Sequence, residues 1–459
     1  MKSTDNISTI EYIETNYPVS EIKVADVCVW MYLRNVIWDR LENEGSHNSN
    51  STIIHGLISA QNYYWNFKNR NNDCRCVLFT DALEEIKIGD QHIDRLMCGV
   101  TEELGNSLCV VLNPLGKTHA SSSMYIKNEY ISSHYFTFGL PKKHLIKGKD
   151  ILDDIVGYLN IPLDYHGLIN KFIMYYNRTY NFLKKSNPNK IVVNCYHSSL
   201  HQAAVLSANS LGIPIYEIQH GLISKMHYPY NFSSCLDSNF LPNHLFSFGN
   251  YVNDCVGSAY KNYVNIIPVG NAYLNANIKN GIKLASNKNK LEEIVSKSKS
   301  YEKIVLVSHQ NSVSDELGTF INNLADKLNN ILFIYSIRNR DNQQTLQVNN
   351  QDNIIINSEI DIYRIAKRCD LHISVYSTFI LESLYMGIPN ILININGLSM
   401  QYLNDIVGQD NVLILSADNE VADAINDFNF ENSDTIKEKM SYLYAMKNIN
   451  SLVEVALSK

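Results

Sequence analysis

Residues 190–221 read KIVVNCYHSSLHQAAVLSANSLGIPIYEIQHG, and the local signals in this stretch set the fold class. KIVVN and IPIYEI are short runs rich in β-branched residues. Between them lies a helical pattern that Ser198 or Ser199 can cap and Gly212 ends, and Pro214 opens the second strand. A strand, a helix and a strand of this length make a βαβ unit, in which the helix carries the chain back so that the two strands run parallel.

The same alternation extends outward in both directions. Toward the N-terminus, residues 24–42 (VADVCVWMYLRNVIWDRLE) space their apolar side chains as an amphipathic helix, and CRCVLFT, ending before Asp81, and SLCVVLNPLG are short strands. Beyond the βαβ unit, HLFSFGN and NIIPVGN each close a strand on Gly-Asn, at Gly249-Asn250 and at Gly270-Asn271. The polar residues 276–300 read as a surface connection. After it come KIVLVSHQ, ELGTFINNLADKLNN, ILFIYSIRNR, NIIIN, IDIYRIAKRC, LHISVYS, TFILESLYMG and PNILININ, again alternating strand and helix. Regular βα succession in two halves predicts an α/β protein of two Rossmann-like, doubly wound parallel sheets facing across a cleft. The expected domains are 1–275 and 276–459, with the last helix free to pack back on the first domain.

Bulk properties narrow the function classes. A chain of 459 residues exceeds what one core usually supports, so two domains are expected. A net charge of -7 and a pI near 6.1 speak against a nucleic-acid partner. The nine cysteines are odd in number and contain no Cys-x-x-Cys pair, which favours scattered thiols in a reducing compartment over disulfides or a zinc knuckle. The opening 18 residues are polar rather than signal-like, and no apolar run approaches the roughly 20 residues of a membrane span. A cytoplasmic protein is expected, with any membrane contact peripheral, on the cytoplasmic face of the inner membrane. No Asp-x-Asp, His-Glu-x-x-His or GxxxxGK[ST] pattern occurs, so no metal and no resident cofactor are expected. Oligomeric state is not legible.

Ligands of open α/β sheets bind beyond the carboxyl ends of the strands, so residues there are the candidates. Tyr376 ends one strand. Ser377 and Thr378 follow, where exposed backbone N–H groups suit a phosphate, and Glu382, four residues past Thr378, shares its helical face and can reach a ribose hydroxyl. Ser308, His309 and Gln310 follow KIVLV and would lie near the leaving phosphate, and Arg338 can pair with phosphate as a fork. In the first half, His220 at a strand end, flanked by Gln219 and Gly221, suits a general base or a phosphate donor, with His227 close behind. Gly249, Gly270 and Asn271 complete the expected cleft. Among the acids Asp81, Glu84, Glu85 and Asp94, Asp81 is the alternative base because it ends a strand.

The run STFILESLYMGIP, preceded by DIYRIAKRCDLHISVY, resembles the nucleotide-binding segment of GT-B glycosyltransferases and of the related UDP-sugar 2-epimerases. That resemblance implies phosphate contacts for Ser377 and Thr378 and a ribose contact for Glu382. IPIYEIQHGLISKMHYPY resembles the end of the N-terminal lobe in surface-polysaccharide transferases, including capsule and O-antigen enzymes and the polyol-phosphate transferases of teichoic acid assembly. In the last group the His-Gly is catalytic, which points to His220. FTDALEEIKIGDQHIDRLMCGVTEELG looks like a region of O-antigen cluster proteins. Where sialyltransferases and Kdo transferases carry His-Pro, this chain has Arg338-Asn339.

The implied activity is metal-independent transfer of a sugar, leaning to a CMP-activated nonulosonic or Kdo-type acid, onto a glycan or lipid-linked oligosaccharide in O-antigen or capsule assembly. UDP- or GDP-hexose transfer and CDP-polyol phosphotransfer are the alternatives within the class. A UDP-sugar 2-epimerase and a non-catalytic glycan-binding module are the alternatives outside it.

Overall fold

The computed structural model describes residues 2–42, 75–81, 85–88, 91–97, 108–113, 129–275, 288–337, 347–349, 351–404, 412–427, 435–436, 438 and 442–445. The chain forms two compact units. The first is built from the residues up to Ser247 together with Cys255–Ile267, and the second from Phe248–Asp254 together with Pro268–Lys447. The expected last helix lies outside the described residues.

In the first unit seven strands form one sheet: β1 Cys76–Asp81, β2 Leu108–Asn113, β3 Glu129–Ser132, β4 Lys190–Asn194, β5 Ile215–Ile218, β6 His244–Ser247 and β7 Asn265–Pro268. Their spatial order is β7-β6-β5-β4-β1-β2-β3, and the pairs from β6 through to β3 are all parallel. The order reverses between β1 and β4, which is the switch point of a doubly wound sheet. Every residue of β4 and β5 is buried. These near-continuous apolar runs are what a parallel strand covered on both faces requires.

Two N-terminal helices, α1 Lys2–Asn16 and α2 Trp30–Glu42, pack together through a buried ion pair. Arg34 Nη1 lies 3.1 Å from Glu14 Oε1, with both side chains at most 5% exposed. Neighbouring groups hold the pair in place. Trp30 Nε1 donates to Glu14 at 2.9 Å, Ser234 Oγ to the same carboxylate at 3.1 Å, and the Arg34 guanidinium lies 4.2 Å from the Phe232 ring centre. Such a pair mainly fixes geometry, here of the loop around residues 228–234.

The second unit contains β8 Lys303–Ser308, β9 Ile331–Ser336, β10 Ile354–Asn357, β11 Leu371–Ser374, β12 Asn390–Ile393 and β13 Val412–Leu415. They lie in the order β10-β9-β8-β11-β12-β13, parallel throughout, with the switch point between β8 and β11. The helix Ser314–Lys327 lays Leu317, Ile321, Leu324 and Ala325 on the sheet, one helical stripe against Val305, Val307, Phe333 and Ile373. Each such side chain withdrawn from water stabilises the unit by about 1.5–3 kcal/mol.

Two local expectations change. The helix read from residue 24 begins at Trp30, because residues 23–28 form a tight antiparallel hairpin with Ala25 at φ 51°. Ser198 does occupy the N-cap of the helix Ser199–Ser210, in extended conformation, but its hydroxyl makes no capping bond. No helix among the described residues is long and apolar enough to cross a membrane.

Candidate functional site

In the second unit the polar residues after β8 and β11 interlock at the switch point. Ser308 Oγ donates to Ser374 Oγ at 2.9 Å, joining the two strand ends. Gln310 reaches back over them, its Oε1 accepting from the backbone N–H of Val375 at 3.1 Å and of Tyr376 at 2.8 Å. Ser312 and Tyr376 bond hydroxyl to hydroxyl at 2.5 Å, and the Tyr376 ring stacks on Tyr402 at 5.1 Å. Beneath them the buried His372 bonds Ser308 Oγ at 2.9 Å, and burial pushes its pKa down to about 4, so it stays neutral at pH 7. His309 is held between Tyr335 Oη and Asn311 Oδ1, both at 2.9 Å.

Ser377 Oγ accepts from the N–H of Phe379 at 3.2 Å, at the start of the helix Phe379–Tyr385. Glu382 is 5% exposed, and its Oε2 accepts from Tyr363 Oη at 2.7 Å. A carboxylate has capacity for further donors, so a sugar hydroxyl can share it. The hydroxyls and amides of this assembly suit an anionic or sugar-bearing ligand.

The first unit carries a different cluster at the corresponding place. β4 ends at Asn194, and Cys195 follows in the left-handed region at φ 51°, unusual for a residue with a β-carbon. Its Sγ lies 3.4 Å from His197 Nε2 and 3.8 Å from Nδ1. The His197 ring is 5.8 Å from that of His220, which follows β5, and 5.4 Å from that of His227. Burial, and then the neighbouring imidazoles, hold His197 well below its usual range. Burial and His220 likewise push His227 down to about 3, against a backbone bond with Leu222 that acts in the opposite sense.

Under these rings lies Glu217, the charged residue inside β5, fully buried. Its Oε1 accepts from Tyr230 Oη at 2.6 Å and from the Tyr196 N–H at 3.0 Å, and its Oε2 from Tyr260 Oη at 3.3 Å. Burial outweighs these bonds and raises its pKa from 4.5 to about 7.

The structure thus brings Ser308, His309, Gln310, Tyr376 and Ser377 together around one pair of strand ends. Thr378 occupies the N-cap position there without a side-chain capping bond. His220 and His227 lie together at the other edge. Asp81 ends β1, where it pairs with Asn113 of β2. Arg338 and Glu84 lie outside the described residues, and of Glu85 only its place in a strand is described.

Several residues of the expected cleft make internal contacts. Gln219 is fully buried and donates its amide to the Gly221 carbonyl at 2.8 Å. Asn271, also buried, accepts from the Leu274 N–H at 3.1 Å. Gly249 and Gly270 admit the backbone of residues 442–445. A β-carbon on Gly249 would stand 2.2 Å from the Leu443 carbonyl oxygen, and one on Gly270 2.1 Å from that of Ala445. Asp94, among the acid candidates, is spent on Thr80 and on the N–H groups of Leu96 and Met97. Cys195, His197 and Glu217 are not among the candidates read from the sequence, although the strand-end rule reaches the first two.

No protein-family model matches the chain, and no curated protein matches it in sequence. Solved structures do. The UDP-GlcNAc 2-epimerase from Neisseria meningitidis bound to UDP-GlcNAc is 14% identical with a TM-score of 0.51, over 84% of this chain and 99% of that one. The glycotransferase of kitacinnamycin is 10% identical with a TM-score of 0.51, over 83% and 98%. Spinosyn rhamnosyltransferase SpnG complexed with thymidine diphosphate is 12% identical with a TM-score of 0.50, over 83% and 99%. The fold is GT-B. At these identities the likeness is one of fold.

Proposed function

We propose that the chain is a glycosyltransferase that draws its sugar from a nucleotide-activated donor held by the second unit. The observation that carries this reading is the neutral strand-end assembly of Ser308, Gln310, Tyr376 and Ser377, with the buried Glu382 beside it on a GT-B scaffold. Two structures of the same fold hold UDP-GlcNAc and thymidine diphosphate, which supports a nucleotide-linked ligand.

In the transfer the acceptor oxygen bonds to the anomeric carbon as the bond from that carbon to the donor phosphate breaks. The departing phosphate keeps the electron pair, and the acceptor proton passes to a base. Asp81 and His220, both at the carboxyl edge of the first sheet, are the candidates. The narrower reading, a CMP-activated nonulosonic or Kdo-type donor and a glycan or lipid-linked oligosaccharide acceptor in O-antigen or capsule assembly, rests on the stretch around His220. A second reading, epimerisation of a UDP-sugar, is favoured by the full-length likeness to the Neisseria epimerase.

Thermal shifts with CMP-, UDP-, dTDP-, GDP- and CDP-linked donors decide among these. The expected result is stabilisation by one base class, lost in Glu382→Ala. Stabilisation by no donor discredits the reading, and conversion of UDP-GlcNAc to its 2-epimer without any acceptor replaces it with the epimerase.

A further inference from the structure

We propose that Cys195, His197 and His220 bind one divalent transition-metal ion of the zinc class at the carboxyl edge of the first sheet. One ligand atom from each residue, the Cys195 sulfur and a ring nitrogen from each histidine, falls within a set mutually separated by no more than 4.8 Å. For metal arms of ~2.3 Å to sulfur and ~2.0 Å to nitrogen at a tetrahedral angle, the sulfur–nitrogen edge is ~3.5 Å. The Cys195–His197 separations of 3.4 and 3.8 Å bracket that length, and side-chain rotation closes the remaining gaps.

The donor set itself selects the ion. One thiolate with two imidazoles favours zinc or cobalt(II) over magnesium or calcium, which prefer oxygen. The three donors come from two rigid places, the ends of adjacent parallel strands β4 and β5, whose register pairs Asn194 with Ile218. His227 and Tyr230 wall the group, with rings 5.4 and 5.9 Å from that of His197, and His227 is engaged with the Leu222 backbone. Three protein donors leave one tetrahedral position for water or a substrate oxygen, the pattern of a catalytic rather than a closed structural site. On binding, the Cys195 thiol releases its proton to solvent. The site replaces the expectation of a metal-free protein, which rested on short spacing motifs that a 195, 197 and 220 set does not form.

This inference does not depend on the glycosyltransferase reading, although it removes His220 as the base and leaves Asp81. The test uses the full chain purified without chelator. Elemental analysis is expected to give one zinc-class ion per chain, and cobalt(II) loading of the stripped chain an intense thiolate-to-metal absorption with a tetrahedral ligand-field spectrum. Both are lost in Cys195→Ser and retained in Cys235→Ser, a control at another partly buried free thiol. Should Cys195→Ser fail to fold, His220→Gln carries the same test, with loss of the metal-induced rise in melting temperature as readout. Substoichiometric metal in the parent chain, or a cobalt spectrum unchanged in the variants, overturns the proposal. A chain that binds metal but no nucleotide sugar keeps this site and sinks the preceding reading, and the reverse result does the opposite.

Discussion

The two sheets share one strand order around a single switch point, yet their carboxyl edges hold opposite chemistry. At the edge of the second, Ser308, Ser374, Gln310, Ser377 and Tyr376 engage one another or the local backbone, none of them charged at neutral pH. At the edge of the first, a thiol and three imidazoles gather above a buried carboxyl group. Topology therefore decides where a ligand can sit, and side-chain type decides what can happen there. A shell of hydroxyls and amides binds in the same state over a wide pH range, whereas a shell of thiol, imidazole and carboxyl groups changes with pH and with metal.

Substitutions at three positions sharpen or break this contrast. The largest effect is expected for Asp81→Asn, at the titratable edge. If that edge handles the proton, transfer slows by about 10² to 10⁴, equivalent to about 3–5 kcal/mol, while the donor-induced thermal shift is unchanged. An unaltered rate with a working donor removes Asp81 from the chemistry.

The next concerns Glu217, whose folded-state pKa of about 7 lies above its ordinary 4.5. A raised carboxyl pKa gives stability that is complete below about 4.5 and lost as pH climbs through about 7, up to about 3 kcal/mol in all. Glu217→Gln, which imitates the protonated form, should match the parent chain in urea unfolding at pH 5 and exceed it at pH 8. Parallel stability curves would refute the assignment. The smallest is Gln310→Ala, which deprives two backbone N–H groups of their acceptor at a cost of about 1–3 kcal/mol. Gln310→Glu retains the acceptor oxygen and most of the stability, and the Gln310→Ala deficit should be the same at pH 5 and pH 8, whereas the Glu217→Gln gain appears only at the higher pH.

Much of the architecture was legible because parallel strands buried on both faces are short apolar runs with turn residues at their ends. KIVVN, IYEI, KIVLV and PNILI could be read directly. The helices α1 and Tyr165–Ser186 were not, since α1 is mostly polar and the other mixes tyrosine, asparagine and lysine along its length. The strand-end rule found the second unit's assembly because each member follows its strand within a few residues. It found His220 as well, but not its companions. Cys195 and His197 stand 25 and 23 residues before His220, and only the β4–β5 register brings them together. Glu217 gave one signal, a charge inside an apolar strand, whose meaning depends on three tyrosines at 196, 230 and 260.

The close approach at Gly249 and Gly270 bears on how the molecule is made. Phe248 and Tyr251 exchange backbone hydrogen bonds with Ala445 and Tyr442, and all four belong to the second unit although most of its chain lies between them. A ribosome must therefore deliver the chain as far as Ala445 before that unit can finish assembling, while β1 to β7 are all available much earlier. Cutting the gene at the apparent midpoint would separate the two glycines from the strand of backbone they accommodate, so the second half expressed alone would emerge with that seam open.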